Sequence, residues 1–152
     1  MGTFNRHYAR LLEPDIELLL DFQTDHRNEY LSWTYDVRVG PGRDPGDTVS
    51  PEIRKMALDL SRRRIDAIAE TPTRIDLIEI CQTAGYRTIG QLPIYAAYYQ
   101  IDFKPTKPLQ TCILCRDIPD DLALFCIRNS YQLWVYPTHT EILETLGHPP
   151  TT

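Results

Sequence analysis

Two acidic residues, Asp66 and Glu79, lie on successive apolar segments whose composition predicts the two strands of a β-hairpin. Residues 71–74 (Thr-Pro-Thr-Arg) suit the tight turn between them. With that turn, Asp66 falls opposite Glu79, and the two Cβ atoms lie about 5 Å apart on one face. Two carboxylates with room for water suit Mg²⁺ or Mn²⁺. The spacing therefore predicts a cation site or a shared proton.

The prediction depends on the register of the hairpin. A slip of one residue would move Asp66 and Glu79 to opposite faces of the sheet. Like charges directly opposite each other destabilise a sheet, so a second interpretation places both acids at solvated strand ends. Asp76 has the opposite parity to Glu79 and is left out of the cluster. The sequence leaves both interpretations open.

Three motifs follow one another between residues 64 and 95. They are the acid Asp66, then Glu79-Ile80-Cys81 on the next strand, then Ile89-Gly90-Gln91-Leu92-Pro93-Ile94-Tyr95 at the start of a helix. In this order and spacing they resemble the PD-(D/E)XK nuclease-like core, the restriction-endonuclease fold, over about residues 30–136. The resemblance implies vestigial catalytic roles for Asp66, Glu79 and Gln91, with Mg²⁺ held by Asp66 and Glu79 in an active form.

Cys81 stands where the motif of that family has lysine. In the nucleases, the resemblance implies, this lysine orients the attacking water and stabilises the charge that develops on phosphorus. A neutral thiol does neither, and a positioned acid–base group is worth about 10²–10⁴ in rate. Two nearby carboxylates should also raise the thiol pKa. Arg64, predicted on the face of Asp66, is the candidate substitute cation. The sequence therefore favours a degenerate site that is not enzymatic and requires no cofactor.

The remaining composition is that of an ordinary globular chain. Its 152 residues are 42% hydrophobic, which predicts a single domain, with a flexible arm at 1–12 and a tail at 137–152. The net charge of −5 argues against a generic nucleic-acid binder. No segment has the apolar run of a signal peptide or a transmembrane helix. The predicted setting is therefore cytosolic, with the cysteines reduced.

The pattern along the chain predicts an α/β fold, a mixed β-sheet flanked by helices. Residues 31, 33, 35, 37 and 39 are expected to share one face of the first strand. Cys112 and Cys115, three apart on one strand, should face opposite ways rather than form a metal motif. The four histidines receive no catalytic role. The predicted elements are a helix at 14–24, a strand at 30–39, a loop at 40–47, a helix from Pro51, the hairpin, a helix from about 86 to Tyr99, a strand at 109–115, a helix at 117–129, a strand at 131–136 and a short helix at 141–146.

Some surface segments carry two interpretations. The arginines at 62–64 suit either phosphate contact or a solvated helix end, where cations meet the negative end of the dipole. The Gly/Pro-rich loop at 40–47 suits either a contact element or a plain connector. Tyr95, Tyr98 and Tyr99 recur at helical spacing, which is typical of core or interface residues.

A second resemblance concerns function. Residues 35–40, 63–68 and 89–92 are similar to short proteins encoded by tailed bacteriophages. This implies a structural or adaptor component of the virion, at the neck or a head–tail or tail connector. Its partners would be portal, neck or tail proteins and further copies of itself in a ring. The alternative is a Mg²⁺-dependent DNA nuclease that uses Asp66 and Glu79. A third hypothesis is a regulatory module that binds a cation at the acids without catalysis. None of the three involves a membrane.

Overall fold

A computed structural model describes residues 11–138, which form four helices and five strands. The predicted helix at 141–146, residues 1–10 of the arm, most of the tail, and His7, His139 and His148 lie outside the described residues. None of the described helices is long and apolar enough to cross a bilayer. The elements are α1 (Glu13–Asp25), β1 (Ser32–Val39), α2 (Pro51–Leu60), β2 (Arg63–Glu70), β3 (Ile75–Thr83), α3 (Tyr86–Phe103), β4 (Leu109–Asp117), α4 (Asp120–Arg128) and β5 (Gln132–Val135).

The strands form one mixed sheet in the order β1-β2-β3-β4-β5. The first three are antiparallel neighbours, while β4 runs parallel to β3 and β5 runs parallel to β4. The parallel neighbours are joined through α3 and α4, because parallel strands need a crossover connection. The predicted α/β class and the mixed sheet are confirmed.

Helices cover both faces of the sheet. The residues Leu18, Leu19 and Phe22 of α1 pack on one face, together with Ile78 and Leu114. The other face is covered by α3 and α4, whose Leu92 and Leu122 pack with Ile113 of β4. β4 is therefore buried on both sides, which explains its unbroken apolar run. Cys112 belongs to the first cluster and Cys115 to the second, so the expectation that they face opposite ways is confirmed.

The predicted single apolar face of β1 is wrong beyond Tyr35. Trp33 and Tyr35 pack on the α1 side of the sheet, whereas Val37 and Val39 pack on the α3 side. The change occurs at Asp36, whose φ of 52° interrupts the two-residue alternation of a strand. Side-chain parity read from the sequence cannot anticipate such a residue.

The hairpin turn matches its prediction. The N–H of Thr71 donates to the carbonyl of Arg74 at 2.9 Å, and the Thr71 hydroxyl accepts from the N–H of Arg74 at 3.0 Å. Just beyond it, Asp76 is fully buried. Its carboxylate accepts bonds from the guanidinium of Arg74 at 2.7 and 3.2 Å and from the hydroxyl of Tyr30 at 2.8 Å. A buried charge is tolerable when it is paired in this way.

The loop at 40–47 and α2 extend beyond the end of the β1–β2 pair. The hydroxyl of Ser50 accepts from the N–H of Ile53 at 3.3 Å and caps α2, as predicted. Gly42 has a φ of 74°, and a Cβ there would collide with the carbonyl oxygen of Leu58. Arg62 donates to the carbonyl of Gly40 at 2.7 Å and reaches Asp102 of α3 at 3.1 Å.

α3 runs to Phe103, beyond the predicted end at Tyr99. Lys104 then adopts a left-handed conformation, and Pro105 follows, so the helix stops there. The additional turn contains Asp102, which accepts a bond from the N–H of Gly40 at 2.8 Å. A tertiary contact therefore accompanies the longer helix.

Candidate functional site

The candidate site lies where the β2–β3 ladder ends. The pairing runs from Glu70 with Ile75 to Ala67 with Ile78, so the predicted register is correct. Asp66 and Glu79 would be the next pair in that register, but the ladder ends before them. The carboxylate of Asp66 instead accepts a bond from the backbone N–H of Ile80 at 2.9 Å. The two acids are brought together at the point where the strands part.

The strand pairing is also interrupted on the other side of β2, where β2 pairs with β1. The β1–β2 pairing includes Tyr35 with Ala67 and Val37 with Ile65, and it omits Asp36 and Asp66 between them. Irregularities of this kind redirect side chains and are common beside functional sites. The sequence contained no clear signal for this one.

Glu79 is the unusual carboxyl group of the site. Its Oε1 atom is buried and has no hydrogen-bond partner within the described residues. Burial, followed by the negative charge of Asp66, raises the pKa of Glu79 to about 9, against the lowering effects of the Asp66 N–H and of Arg87. Burial and the neighbouring charge of Asp66 therefore favour the protonated form of Glu79. The second interpretation, in which both acids lie at wet strand ends, does not describe Glu79.

Cys81 follows on the same face of β3 and packs partly against the apolar cluster under α3 and α4. Its Sγ atom lies 3.9 Å from the hydroxyl oxygen of Thr88. The pKa of the Cys81 thiol rises to about 11, chiefly because of burial, and the charges of Asp15, Glu79 and Asp66 add smaller effects. The predicted direction is correct, although the main cause is desolvation. The position holds a neutral thiol at neutral pH.

Arg64 forms its ion pair with Asp36 rather than with Asp66 or Glu79. Its guanidinium donates to Asp36 on β1 at 2.7 Å, and its side chain is only 13% exposed. The cations whose charge reaches the site are others. Arg87 lowers the pKa of Glu79, and both Arg87 and Arg63 lower that of Tyr95.

α3 presents Tyr95 to the acidic pair. Tyr95 is buried, and its pKa is raised first by that burial and then by the charges of Glu79 and Asp66. Gln91 lies one helical turn earlier and is half-buried, and its side chain makes no hydrogen bond within residues 11–138. Arg87, which sequence reasoning missed, lies one further turn back. The four-residue spacing of these three residues was the available signal.

The donor set can be compared with what a divalent cation requires. Asp66 and Glu79 offer carboxylate oxygens, and the unpartnered Oε1 atom of Glu79 suits a ligand. However, the described residues contain no group of three or more histidine, cysteine or acidic side chains that could hold a metal. A Mg²⁺ ion there would keep several waters and would have to displace the proton of Glu79.

A cleft of about 310 Å³ lies on the same side of the sheet as α3. Its walls include Gly40 and Gly42 of the loop, the side chain of Tyr98, and the exposed Arg43 and Arg63. Arg63 lines this cleft and also acts electrostatically on Tyr95. Arg63 therefore connects the cleft electrostatically with Tyr95, the tyrosine beside the acidic pair.

No protein-family model matches the chain, and no curated protein is significantly similar to it. Among solved structures, the chain is similar to the crystal structure of the protein of unknown function AF1548. The two are 15% identical, with a TM-score of 0.45, and the match covers 90% of this chain and 67% of the other.

Proposed function

We propose that this chain is a non-catalytic assembly protein, built on a nuclease-like fold whose catalytic site has degenerated. At the finer level, we propose that it is an adaptor at the neck or head–tail connection of a tailed-phage virion. The single observation that carries the non-catalytic part is Cys81, a neutral and half-buried thiol in the position of the motif lysine.

The order of elements supports the nuclease-like part of the proposal. α1 precedes three antiparallel strands, with α2 between the first two, and α3 then leads to the parallel strand β4. This arrangement places Asp66 on the second strand, Glu79 on the third, and Gln91 with Tyr95 on the following helix. These are the positions that the sequence motifs imply.

The surface supports an assembly role. Large apolar side chains are more than half exposed on three different helices, including Met56, Ile101 and Ile127. Apolar side chains that are exposed together on one surface mark sites that bind partners. The net charge of −5 is unfavourable for a protein that works on DNA. The phage and virion part rests on the sequence resemblance alone.

Glu79 favours a second candidate, the Mg²⁺-dependent DNA nuclease. Its buried Oε1 atom without a hydrogen bond is the kind of atom that a metal ion satisfies. In that case Asp66 and Glu79 would hold the ion, which would supply an activated water, and Gln91 would position the DNA. Deprotonation of Glu79 by the bound cation would then be part of activation.

DNA cleavage separates the two functions. Purified wild type is incubated with supercoiled and linear DNA in Mg²⁺ or Mn²⁺, beside Glu79→Ala, Cys81→Lys and the neutral control Cys81→Met. We expect no cleavage by the wild type or by Cys81→Met. Cleavage that appears only in Cys81→Lys would identify a retired nuclease. Cleavage by the wild type that vanishes in Glu79→Ala would refute the non-catalytic role and favour the nuclease.

A further inference from the structure

The cleft beside α3 combines positive charge with an apolar wall. Its volume of about 310 Å³ is at the lower end of the range of small-molecule sites. The residues that give it its chemical character are an apolar group and a basic pair, namely Val39, Pro41 and Tyr98, and Arg43 and Arg63. Among residues 11–138, no acidic side chain lines this cleft. A cleft of this composition suits a small anion that has an apolar part.

The basic pair differs from the other arginines nearby because it has no acidic partner. Residues 36–64 contain six arginines. Four of them form ion pairs with aspartates, namely Arg38, Arg54, Arg62 and Arg64. Arg43 and Arg63 are exposed, and within residues 11–138 their side chains make no hydrogen bond or ion pair. The two arginines that line the cleft are therefore the ones whose charge is left uncompensated.

The acidic side chains around the cleft have partners of their own. Asp44, the residue after Arg43, forms an ion pair with Arg54. Asp102 of α3 forms an ion pair with Arg62 at 3.1 Å. Because these two acids are engaged with other cations, the positive charge of the cleft remains available to an anion from solution.

The sheet directs Arg63 to the side of the cleft. Arg63 pairs with Val39 between β2 and β1, and paired residues of antiparallel strands project from the same face. Val39 packs on the α3 side, in the same cluster as Tyr98. The charge of Arg63 also acts on Tyr95 of α3. Of the arginines at 62–64, Arg63 is therefore the one that can meet an anion on this side of the sheet.

The loop that carries Arg43 is held in place by the protein itself. The hydroxyl of Ser61 accepts a hydrogen bond from the N–H of Arg43, and the N–H of Gly40 donates to Asp102 at 2.8 Å. Gly40 also lies against the ring of Tyr98, to which a Cβ would approach within 3.1 Å. The cleft is therefore pre-formed, which reduces the entropic cost of binding a ligand.

We propose that this cleft binds a small phosphate monoester that carries an aromatic group. Arginine forms paired, charge-assisted hydrogen bonds with phosphate oxygens, and two guanidinium groups suit the double negative charge of a monoester. The ring of Tyr98 would take the aromatic group by offset stacking. A net charge of −5 disfavours a long nucleic-acid strand, whereas a small anion responds mainly to charges within about 10 Å. The inference is independent of the proposed assembly role.

Isothermal titration calorimetry with phenyl phosphate as the probe tests the proposal. At about pH 7.5 the wild type should bind one equivalent with a Kd below about 1 mM. Inorganic phosphate lacks the ring and phenyl sulfate carries a single charge, so each should bind at least about 3-fold more weakly. Binding of phenyl phosphate should also weaken below about pH 6, where the monoester loses its second charge.

Matched variants locate the binding in the cleft. Arg43→Gln and Arg63→Gln each remove one uncompensated cation, and each should raise the Kd for phenyl phosphate at least about 10-fold. The control Lys55→Gln removes the same charge from an exposed position of α2 outside the cleft and should change the Kd less than about 2-fold. Tyr98→Leu should reduce the preference for phenyl phosphate over inorganic phosphate. Urea unfolding of each arginine variant should match the wild type, since neither side chain has a partner to lose.

Four results would overturn the proposal. The first is a Kd for phenyl phosphate above about 1 mM. The second is unchanged binding in Arg43→Gln and Arg63→Gln, which would place the anion elsewhere. The third is equal affinity for phenyl phosphate and inorganic phosphate, which would exclude a site for the aromatic group. The fourth is displacement of phenyl phosphate by a single-stranded oligonucleotide without terminal phosphates, which would identify a site for a nucleic-acid backbone instead.

Discussion

Asp76 and Glu79 lie three residues apart on β3, yet the surroundings of their carboxyl groups are opposite in kind. Asp76 is fully buried, and its two carboxylate oxygens receive bonds from Arg74 and Tyr30. Glu79 keeps a buried Oε1 atom that has no hydrogen bond to any residue from 11 to 138, and the charge that raises its pKa is that of another acid, Asp66. The carboxylate of Asp76 lies beside the turn of the hairpin. The carboxyl group of Glu79 lies at the other end, where the pairing between β2 and β3 stops.

The contrast separates a structural carboxylate from a candidate functional one. A paired buried charge resists removal, because its partners would be left unsatisfied. A carboxyl group whose environment disfavours its charge costs the fold some stability and is typical of present or former functional sites. Three mutational experiments can break or sharpen this distinction.

Asp76→Ala should have the largest effect. It leaves the guanidinium of Arg74 and the hydroxyl of Tyr30 without their acceptor, and breaking a buried pair in this way costs about 3–5 kcal/mol. Urea unfolding at pH 7 measures the loss of free energy of unfolding. Glu79→Gln serves as the control and should lose no stability at this pH. A loss below about 1 kcal/mol in Asp76→Ala would remove the distinction.

Glu79→Gln should change how stability depends on pH. The pKa of Glu79 is about 9 in the folded state and 4.5 in the unfolded state, so the folded state binds the additional proton between these values. Wild-type stability should therefore fall as pH rises from about 5 to about 9, by at most about 1.4 kcal/mol per pH unit.

The glutamine variant cannot lose this proton, so its stability should exceed that of the wild type increasingly towards pH 9. Urea unfolding at pH 5, 7 and 9 measures the difference, with the exposed Glu52→Gln as the control. If the free energies of unfolding of Glu79→Gln and of the wild type changed with pH in the same way, a raised pKa at Glu79 would be contradicted.

Arg87→Gln should have the smallest effect. Arg87 is exposed and acts on Glu79 only through its charge, unlike Arg74, which bonds Asp76 directly. Its removal should raise the pKa of Glu79 by only a few tenths, because solvent screens exposed charges. Carbon-13 NMR titration of the glutamate side chains measures this value. Asp66→Asn should move the pKa the other way, and a large effect of Arg87→Gln would show that Glu79 has a true cation partner.

Local chemistry explains which parts of the fold were predictable. The 71–74 turn and the alternation of β3 were enough for the hairpin register, and Ser50 with Pro51 was enough for the start of α2. The wrong predictions concern features that depend on residues far away in the chain. The faces of β1 were wrong because Asp36 adopts a positive φ, and α3 continued to Phe103, whose last turn contacts Gly40 through Asp102.

The candidate site likewise contains residues that the sequence predicted and residues that it did not. Sequence reasoning found Asp66, Glu79, Cys81, Gln91 and Tyr95, because their order and spacing are properties of the chain. It offered Arg64 as a candidate substitute cation, although Arg64 bonds Asp36, and it overlooked Arg87. The direction of a flexible arginine side chain depends on which acid the fold brings near, and spacing along one strand does not contain that information.

The sequence by itself determined the types of the elements, the hairpin register and the order of Asp66, Glu79 and Cys81 on the two strands, since each follows from neighbouring residues. Only the tertiary structure decided that burial raises the pKa of Glu79 and that the apolar face of α2 stays exposed. The physical reason is burial. Desolvation of a carboxyl group or of a helix face depends on elements far away in the chain, and the pattern around the residue does not reveal whether they cover it.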